Sequence, residues 1–298
     1  MRGGHRGSLE IGFNSKLLSG EFATKISGRY IQIQVYPFSF NEYCMAARET
    51  EPMLSETELF NRYMKQGGMP FLLKAGLNES DSKQYLQDLH ASIVIKDIVK
   101  RNNVRDVDLL ERIIAYVMAN ISKTFSANSI SSFFKSVKRT VAPETILNYL
   151  NYCQESYLFG KVNRLELPSK KTLQANAKFY VTDHGMRQAV YGYNERDIEL
   201  ILENIVCVEL WRRGYKVAIG RASEKEIDFV GKKGDNEQIY VQVCYLLASE
   251  DTVKREFGVY YKITDNFPKY VVSMDEPNMS RDGIAHKNIR EFLLSDCY

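Results

Sequence analysis

Apolar residues recur at helical intervals through most of the first half of the chain, and period-two alternation becomes common in the second. Leu17, Leu18, Phe22 and Ile26 share a helical face, and Tyr30–Val35 then alternates as a half-buried strand does, closed by Pro37. Ser39 with Glu42 three residues on is a capping-box pattern that predicts a helix start, and Ser55-Glu-Thr-Glu58 repeats it. Residues 55–66 and 81–101 read as amphipathic helices separated by the breaker Gly67-Gly-Met-Pro70. Three short helices follow from Asp108. Leu109, Leu110, Ile113, Ile114 and Val117 stripe the first, and Ile130, Phe133 and Phe134 the second. Pro143 opens the third, whose inward positions are Ile146, Leu147 and Leu150. Strand-like runs at 157–166 and 177–182 come next, joined by the basic Pro168-Ser-Lys-Lys171. A helix over 196–213, closed by Gly214, leads into strands at 215–219, 226–231 and 238–245, then a helix near 249–262, a strand at 269–273 and a terminal segment at 287–294.

This order predicts an α+β protein, with a helical N-terminal half followed by an α/β unit. Three helices followed by a hairpin is the winged-helix arrangement, a helix-turn-helix variant whose third helix would offer Thr145, Asn148 and Asn151 to bases or phosphates. The net charge of the 298 residues is only +3, too weak to name a partner, but it is uneven. Residues 121–171 carry +5 and the rest sum to −2. Lys135, Lys138, Arg139, Lys161, Arg164, Lys170 and Lys171 are the cations that make a phosphate-binding face, although a solvated helical surface accounts for the charge as well.

Composition narrows the class. At 44% hydrophobic and 26% charged the chain is globular, and with a mean hydropathy of −0.33 and no run near eighteen apolar residues a membrane span is not expected. The basic N-terminus lacks the apolar run of a secretory signal. Five scattered cysteines without a CxxC pair suggest a reducing, cytoplasmic setting, and neither a disulfide frame nor a structural zinc site.

The candidate chemistry lies in the last third. A helical Glu, an Asp on one strand, and an acid or amide two residues before a Lys on the next form the restriction-endonuclease-like arrangement. Clustered carboxylates there hold a divalent metal beside a cation that assists the attacking water. The slots read Glu203, Asp228 and Gln242, with Asp228 and Glu203 as the metal ligands if a metal binds. Cys244 stands where the Lys belongs, and Gln242 supplies a neutral oxygen, so a retained fold with lost or impaired cleavage is expected. Lys225 is near in sequence, but its position alone supports no role. No G-x-x-x-x-G-K-[S/T] run occurs, so the chain is expected to hold no cofactor and to have no ATPase activity of its own. Cys207 and Cys244 fall in apolar surroundings, and His184 in Asp183-His184-Gly185 reads as a cap or surface residue, so no catalytic triad is proposed.

Several ordered motifs carry a family resemblance. They are Asn14-Ser-Lys-Leu-Leu-Ser-Gly-Glu21, Ser27-Gly-Arg29-Tyr30, Val35-Tyr-Pro37-Phe-Ser-Phe-Asn-Glu42 and Tyr63-x₃-Gly67-Gly-x-Pro70 near the start. Ile95-Lys-Asp-Ile-Val99, Thr145-Ile-x-Asn148-Tyr-Leu150, Tyr180-x-x-Asp183-x-Gly185-x-Arg187 and Leu202-Glu-Asn-Ile-Val206 follow, and Glu226-Ile-Asp-Phe-Val230 with Tyr240-Val-Gln-Val243 closes the series. Over residues 9–294 the chain resembles prokaryotic AAA-type ATP-binding proteins with a C-terminal domain of unknown function. The resemblance implies an AAA-sheet remnant at 1–40, lid-like helices at 41–105, a winged helix at 106–183 and a restriction-endonuclease-like domain at 184–298. It further implies ATP and Mg in the intact family protein, Asn14 or Ser15 at a sensor position and Arg29 as an arginine finger. The P-loop and Walker B segments of the family are missing here, so the chain looks N-terminally truncated. Residues 9–36 are then expected to be poorly ordered or re-paired, and residues from about 80 onward to fold alone. The functional expectation is a non-catalytic module binding nucleic acid or protein. The alternatives are a metal-dependent DNA nuclease and a partner-docking or self-association module.

Overall fold

The computed structural model describes residues 33–167, 171–222 and 225–295. Asn14, Ser15, Arg29 and Lys170 lie outside the described residues, as do the side chain of Lys171 and the helix expected at 17–26. Of the strand expected at 30–35, residues 33–35 are described and form none. Ile33 and Val35 are 78% and 85% exposed, with no strand of the described residues pairing to them.

Both capping boxes form. The Ser39 hydroxyl accepts from the Glu42 N–H at 3.0 Å and opens α1 (Phe40–Thr50), and Ser55 with Glu58 opens α2 (Glu56–Gln66) in the same way. After the glycine pair, Pro70 starts α3 (Pro70–Lys74), and α4 (Glu79–Ser92) widens into a π-helix, Ile93–Lys100. Next come α5 (Val107–Ala119), β1 (Thr124–Phe125), α6 (Ala127–Ser136), α7 (Pro143–Glu155), β2 (Phe159–Glu166) and β3 (Lys171–Val181). Helix α8 (His184–Tyr191) and α9 (Ile198–Arg212) precede β4 (Lys216–Ala222), β5 (Lys225–Lys233) and β6 (Glu237–Val243). The chain continues as α10 (Glu250–Gly258), β7 (Lys269–Ser273), β8 (Ala285–Asn288) and α11 (Ile289–Leu294). The molecule is therefore α+β, and among the described residues no helix is long and apolar enough to cross a membrane.

The eight strands of the described residues join one mixed sheet in the order β1-β3-β2-β4-β5-β6-β7-β8. The hairpin β2/β3 is antiparallel and β2 pairs parallel with β4, Arg164 lying opposite Ile219 and Glu166 opposite Arg221. One sheet thus takes strands from both sides of the expected boundary at 183/184. With β3 occupying one edge of β2, the other edge still presents unpaired N–H and C=O groups, and β4 satisfies them.

The expected lid-like helices divide between two cores. Phe40, Tyr43, Phe60 and Tyr63 of α1 and α2 are buried with α9, α11 and the central strands. Ile93, Val94 and Ile98 of the π-helix pack instead with Leu110, Ile114 and Phe134 of the following helices. Helices α1 and α2 therefore belong to the core that α9 organises, and a unit starting near 80 would leave that core open.

Candidate carboxylate–ammonium site

Helix α9 is enclosed nearly all round: Ile201, Leu202, Ile205, Val206 and Leu210 are buried, and so are Glu203, Asn204 and Glu209. The Asn204 side chain accepts from the Val181 N–H at 2.8 Å and donates to its carbonyl at 2.9 Å, which fixes the rotation of α9 against β3. That rotation aims Glu203 at the sheet.

Strand β5 is buried from Ile227 through Gly231 and carries Asp228 on the face opposite Phe229. On β6, Gln242 points the same way as Asp228 and meets it, its Oε1 accepting from the Asp228 N–H at 3.2 Å. The second Asp228 oxygen accepts from the Val243 N–H at 2.9 Å, and Gln242 Nε2 donates to Glu256 of α10 at 2.9 Å. Glu203, Asp228 and Gln242 are thus brought together at the place the sequence pattern assigns them.

The cation comes from elsewhere. Lys178 on β3 is 6% exposed, and its Nζ stands 2.9 Å from Glu203, 3.0 Å from Glu226 and 3.4 Å from Asp228. The Tyr180 hydroxyl, two residues on along the same face, donates to the same Glu203 oxygen at 2.7 Å. Arg164 of β2 pairs with the outer oxygen of Glu226 at 2.8 Å. A cleft of about 440 Å³ opens beside this cluster, lined by Glu199, Glu203, Glu226, Asp228, Gln242 and Glu256 among others.

Burial and the nearby Asp228 push the Glu203 carboxyl up to about 8, and burial also raises Asp228. For Glu226 burial acts upward, but Lys178 and Arg164 together hold it below the usual carboxylate range. Burial alone would lower the Lys178 ammonium, yet the carboxylates around it override that and raise it. Lys178 therefore stays charged, and Glu203 is the group in the cluster that most readily keeps a proton.

The donor set fits a divalent metal poorly. Glu203 Oε1 already accepts from Lys178 and Tyr180, Asp228 is held by Lys178 and a backbone N–H, and both ends of the Gln242 amide are used. Among the described residues no three His, Cys, Asp or Glu side chains converge as a ligand shell. Cys244 is buried beside Leu247 and Phe257, its thiol pushed up by burial and Glu256, which suits an inert apolar packing role.

Sequence reasoning missed Lys178. The signal was a lysine inside Ala177-Lys-Phe-Tyr-Val181, a run apolar on both faces, where a cation requires buried partners. Lys225 lines the cleft but donates to the Gly258 carbonyl at 3.2 Å.

The expected phosphate-binding residues are only partly assembled. Lys135 and Lys138 are exposed around the α6–α7 turn, and Asn148 is exposed and Thr145 half-buried on α7. Arg139 is committed to Asp106 at 2.7 Å and to Asp108, and Arg164 to Glu226, so neither is a free phosphate contact. Lys161 lines a separate cleft on β2.

The fold and site define a mixed-sheet α+β protein built around a buried carboxylate–ammonium cluster. Residues 57–197 match the family described as "Domain of unknown function (DUF8612)". An uncharacterized protein of Haemophilus influenzae is 34% identical over 262 residues, covering 88% of this chain and 64% of the relative. An uncharacterized protein of Methanocaldococcus jannaschii is 29% identical over 265 residues, covering 84% of this chain and 58% of the relative. The chain therefore spans less than two thirds of the length of these relatives. No solved structure matches. The family match ends before α9, so it contains Lys178 but not Glu203, Asp228 or Gln242.

Proposed function

We propose that the chain is a nucleic-acid-binding portion of an AAA-type ATP-binding protein, with a nuclease-like fold that does not cleave. The observation that carries the loss of cleavage is that the Glu203, Asp228 and Gln242 oxygens already accept from Lys178, Tyr180 and backbone N–H groups, a set that suits poorly the divalent metal cleavage would need. The order α9-β4-β5-β6-α10-β7 supports the restriction-endonuclease-like reading, and α5-β1-α6-α7 with the β2/β3 hairpin supports the winged helix. ATP and Mg belong, on this reading, to the intact protein, and the resemblance supplies them.

In this reading Lys135 and Lys138 contact phosphates while Asn148 on the exposed face of α7 approaches the bases. The test is duplex-DNA binding by the full chain across a salt series. Affinity should fall steeply with salt, and Lys135→Ala with Lys138→Ala should flatten the slope by about 0.9 per lost contact. No binding at low salt would overturn the proposal in favour of a docking module.

One observation favours a second reading. Lys178 supplies the cation that Cys244 does not, and that one feature favours a nuclease over a binding-only module. Mg²⁺- or Mn²⁺-dependent nicking that disappears in Asp228→Ala would replace the binding-only account with this one.

A further inference from the structure

A second cleft, of about 240 Å³, lies at the far end of α9 from Glu203. Trp211, the single tryptophan of the chain, forms one side, and Tyr36, Tyr157, Gln154 and Lys161 complete most of the lining. Eight residues separate Glu203 from Trp211, or about 12 Å along the helix.

The walls are held in place by specific contacts. The indole edge occupies the space where Gly160 has no Cβ, since an added carbon would lie 2.1 Å from a Trp211 ring atom. The indole also meets the Tyr180 ring edge-on at 6.1 Å, which links it to the hydroxyl that bonds Glu203. Tyr36 is fixed because Arg212 donates to the Pro37 carbonyl at 2.9 Å and lies over the Tyr36 ring. The neighbouring Phe38 N–H donates to the Gly68 carbonyl at 2.7 Å. Burial raises the Tyr36 hydroxyl, and the Tyr157 hydroxyl adds to that effect, so the two phenols are neighbours in the cleft.

Among the described residues, Lys161 is the one charged side chain lining this cleft and has no ion-pair partner. Its neighbour three residues along β2, Arg164, is by contrast fully committed to Glu226. Gln154 uses its amide nitrogen on the Leu150 carbonyl and Asn151, which directs its carbonyl oxygen elsewhere. Aromatic rings, a cation without an ion-pair partner among the described residues and the Gln154 amide together suit a planar heteroaromatic ring that carries an anion.

We propose that the Trp211 cleft seats one unstacked nucleobase, with its phosphate on Lys161. The inference rests on this cleft alone and stands apart from duplex binding through Lys135 and Lys138.

The test titrates the full chain with deoxyadenosine monophosphate, with an eight-residue deoxyadenosine strand and with inorganic phosphate, following Trp211 emission. The mononucleotide should change the emission saturably and inorganic phosphate should not. Lys161→Ala and Tyr36→Ala should each raise the half-saturation concentration at least fivefold, and Lys161→Arg should restore most of it. A strand binding tenfold tighter than the mononucleotide identifies a nucleic-acid base as the occupant, whereas equal affinities identify a free nucleotide. No saturable change with either, or unchanged midpoints in folded Lys161→Ala and Tyr36→Ala proteins, overturns the assignment.

Discussion

Lys178 and Glu203 share a 2.9 Å ion pair although one lies on a hairpin strand and the other on a helix 25 residues further on. The pair belongs to a cluster in which one ammonium faces three carboxyl groups, so removing the cation leaves the acids facing one another. Lys178→Met should therefore destabilise the protein by about 3–5 kcal/mol at pH 8. At pH 5 the loss should be smaller, because Glu203 and Asp228, whose carboxyls are raised, can take up protons. Urea denaturation of the variant at the two pH values checks both parts, and equal losses would contradict the cluster electrostatics.

The pH dependence of Glu203 follows from the sign of its shift. Its native carboxyl, near 8, lies above its ordinary value of 4.5, so the native state holds the proton more tightly than the unfolded chain. That contribution is complete below about pH 4.5 and is lost as pH rises toward 8, at up to about 1.4 kcal/mol per unit. Buried His184 and His286, both lowered by burial, act in the opposite sense around pH 6.5. The readout is consequently the difference between proteins. Between pH 5 and 8, the stability of Glu203→Gln should decline less than that of the parent, and parallel curves would refute the raised carboxyl.

Much of this site was legible in the sequence, and the reason one residue was not is physical. Glu203, Asp228 and Gln242 meet because a helix followed by three antiparallel strands fixes their relative faces, which spacing and alternation reveal. Lys178 enters through β3, and it reaches the cluster only because β2 pairs with β4, a long-range choice that local patterns do not encode. The same pairing joins strands on the two sides of the expected boundary near 183. His184 shows the opposite failure. Its neighbour Asp183 does cap a helix, but the imidazole is buried and bonds the Tyr63 carbonyl at 2.7 Å, which only the packing of α2 on α8 creates.

Arg139 distinguishes a binding role from a structural one. It bonds Asp106, which caps α5 by accepting from the Leu109 N–H, and it also bonds Asp108. These groups are largely exposed, so the ion pairs themselves add little. Arg139→Ala should lower stability only slightly and leave the salt slope of DNA binding close to that of the parent. Lys135→Ala and Lys138→Ala should do the reverse. A slope that drops in Arg139→Ala would mean that the arginine leaves its aspartates to bind phosphate.

Gly160→Ala reports on packing around the single tryptophan. The new methyl would lie 2.1 Å from the indole, and the ring is backed by Tyr180, so neither the indole nor the strand can stay where it is without strain. Overpacking of this kind costs about 1–3 kcal/mol. The melting temperature should fall, and the tryptophan emission of the folded variant should change in wavelength. An unchanged spectrum would mean that the ring does not rest on the bare backbone of Gly160.

Asp183 joins two distant stretches of chain. One oxygen accepts from the Met186 N–H at 2.8 Å and caps α8, while the other accepts from the Gly68 N–H at 2.9 Å in the turn after α2. The aspartate is 4% exposed, so a truncated side chain leaves both donors without a partner and without access to water. Loss of the cap costs about 1 kcal/mol, and a second buried unsatisfied N–H costs about 1–3 kcal/mol more. Asp183→Ala should accordingly melt several degrees below the parent, and Asp183→Asn should fall between them. Asparagine keeps one accepting oxygen but turns an amide N–H toward a backbone donor. Cleavage by a protease in the turn around Gly67 and Gly68 should rise in the same order, since that turn loses its link to α8. Melting curves and cleavage rates that leave Asp183→Ala indistinguishable from the parent would show that the two stretches are held together by other contacts.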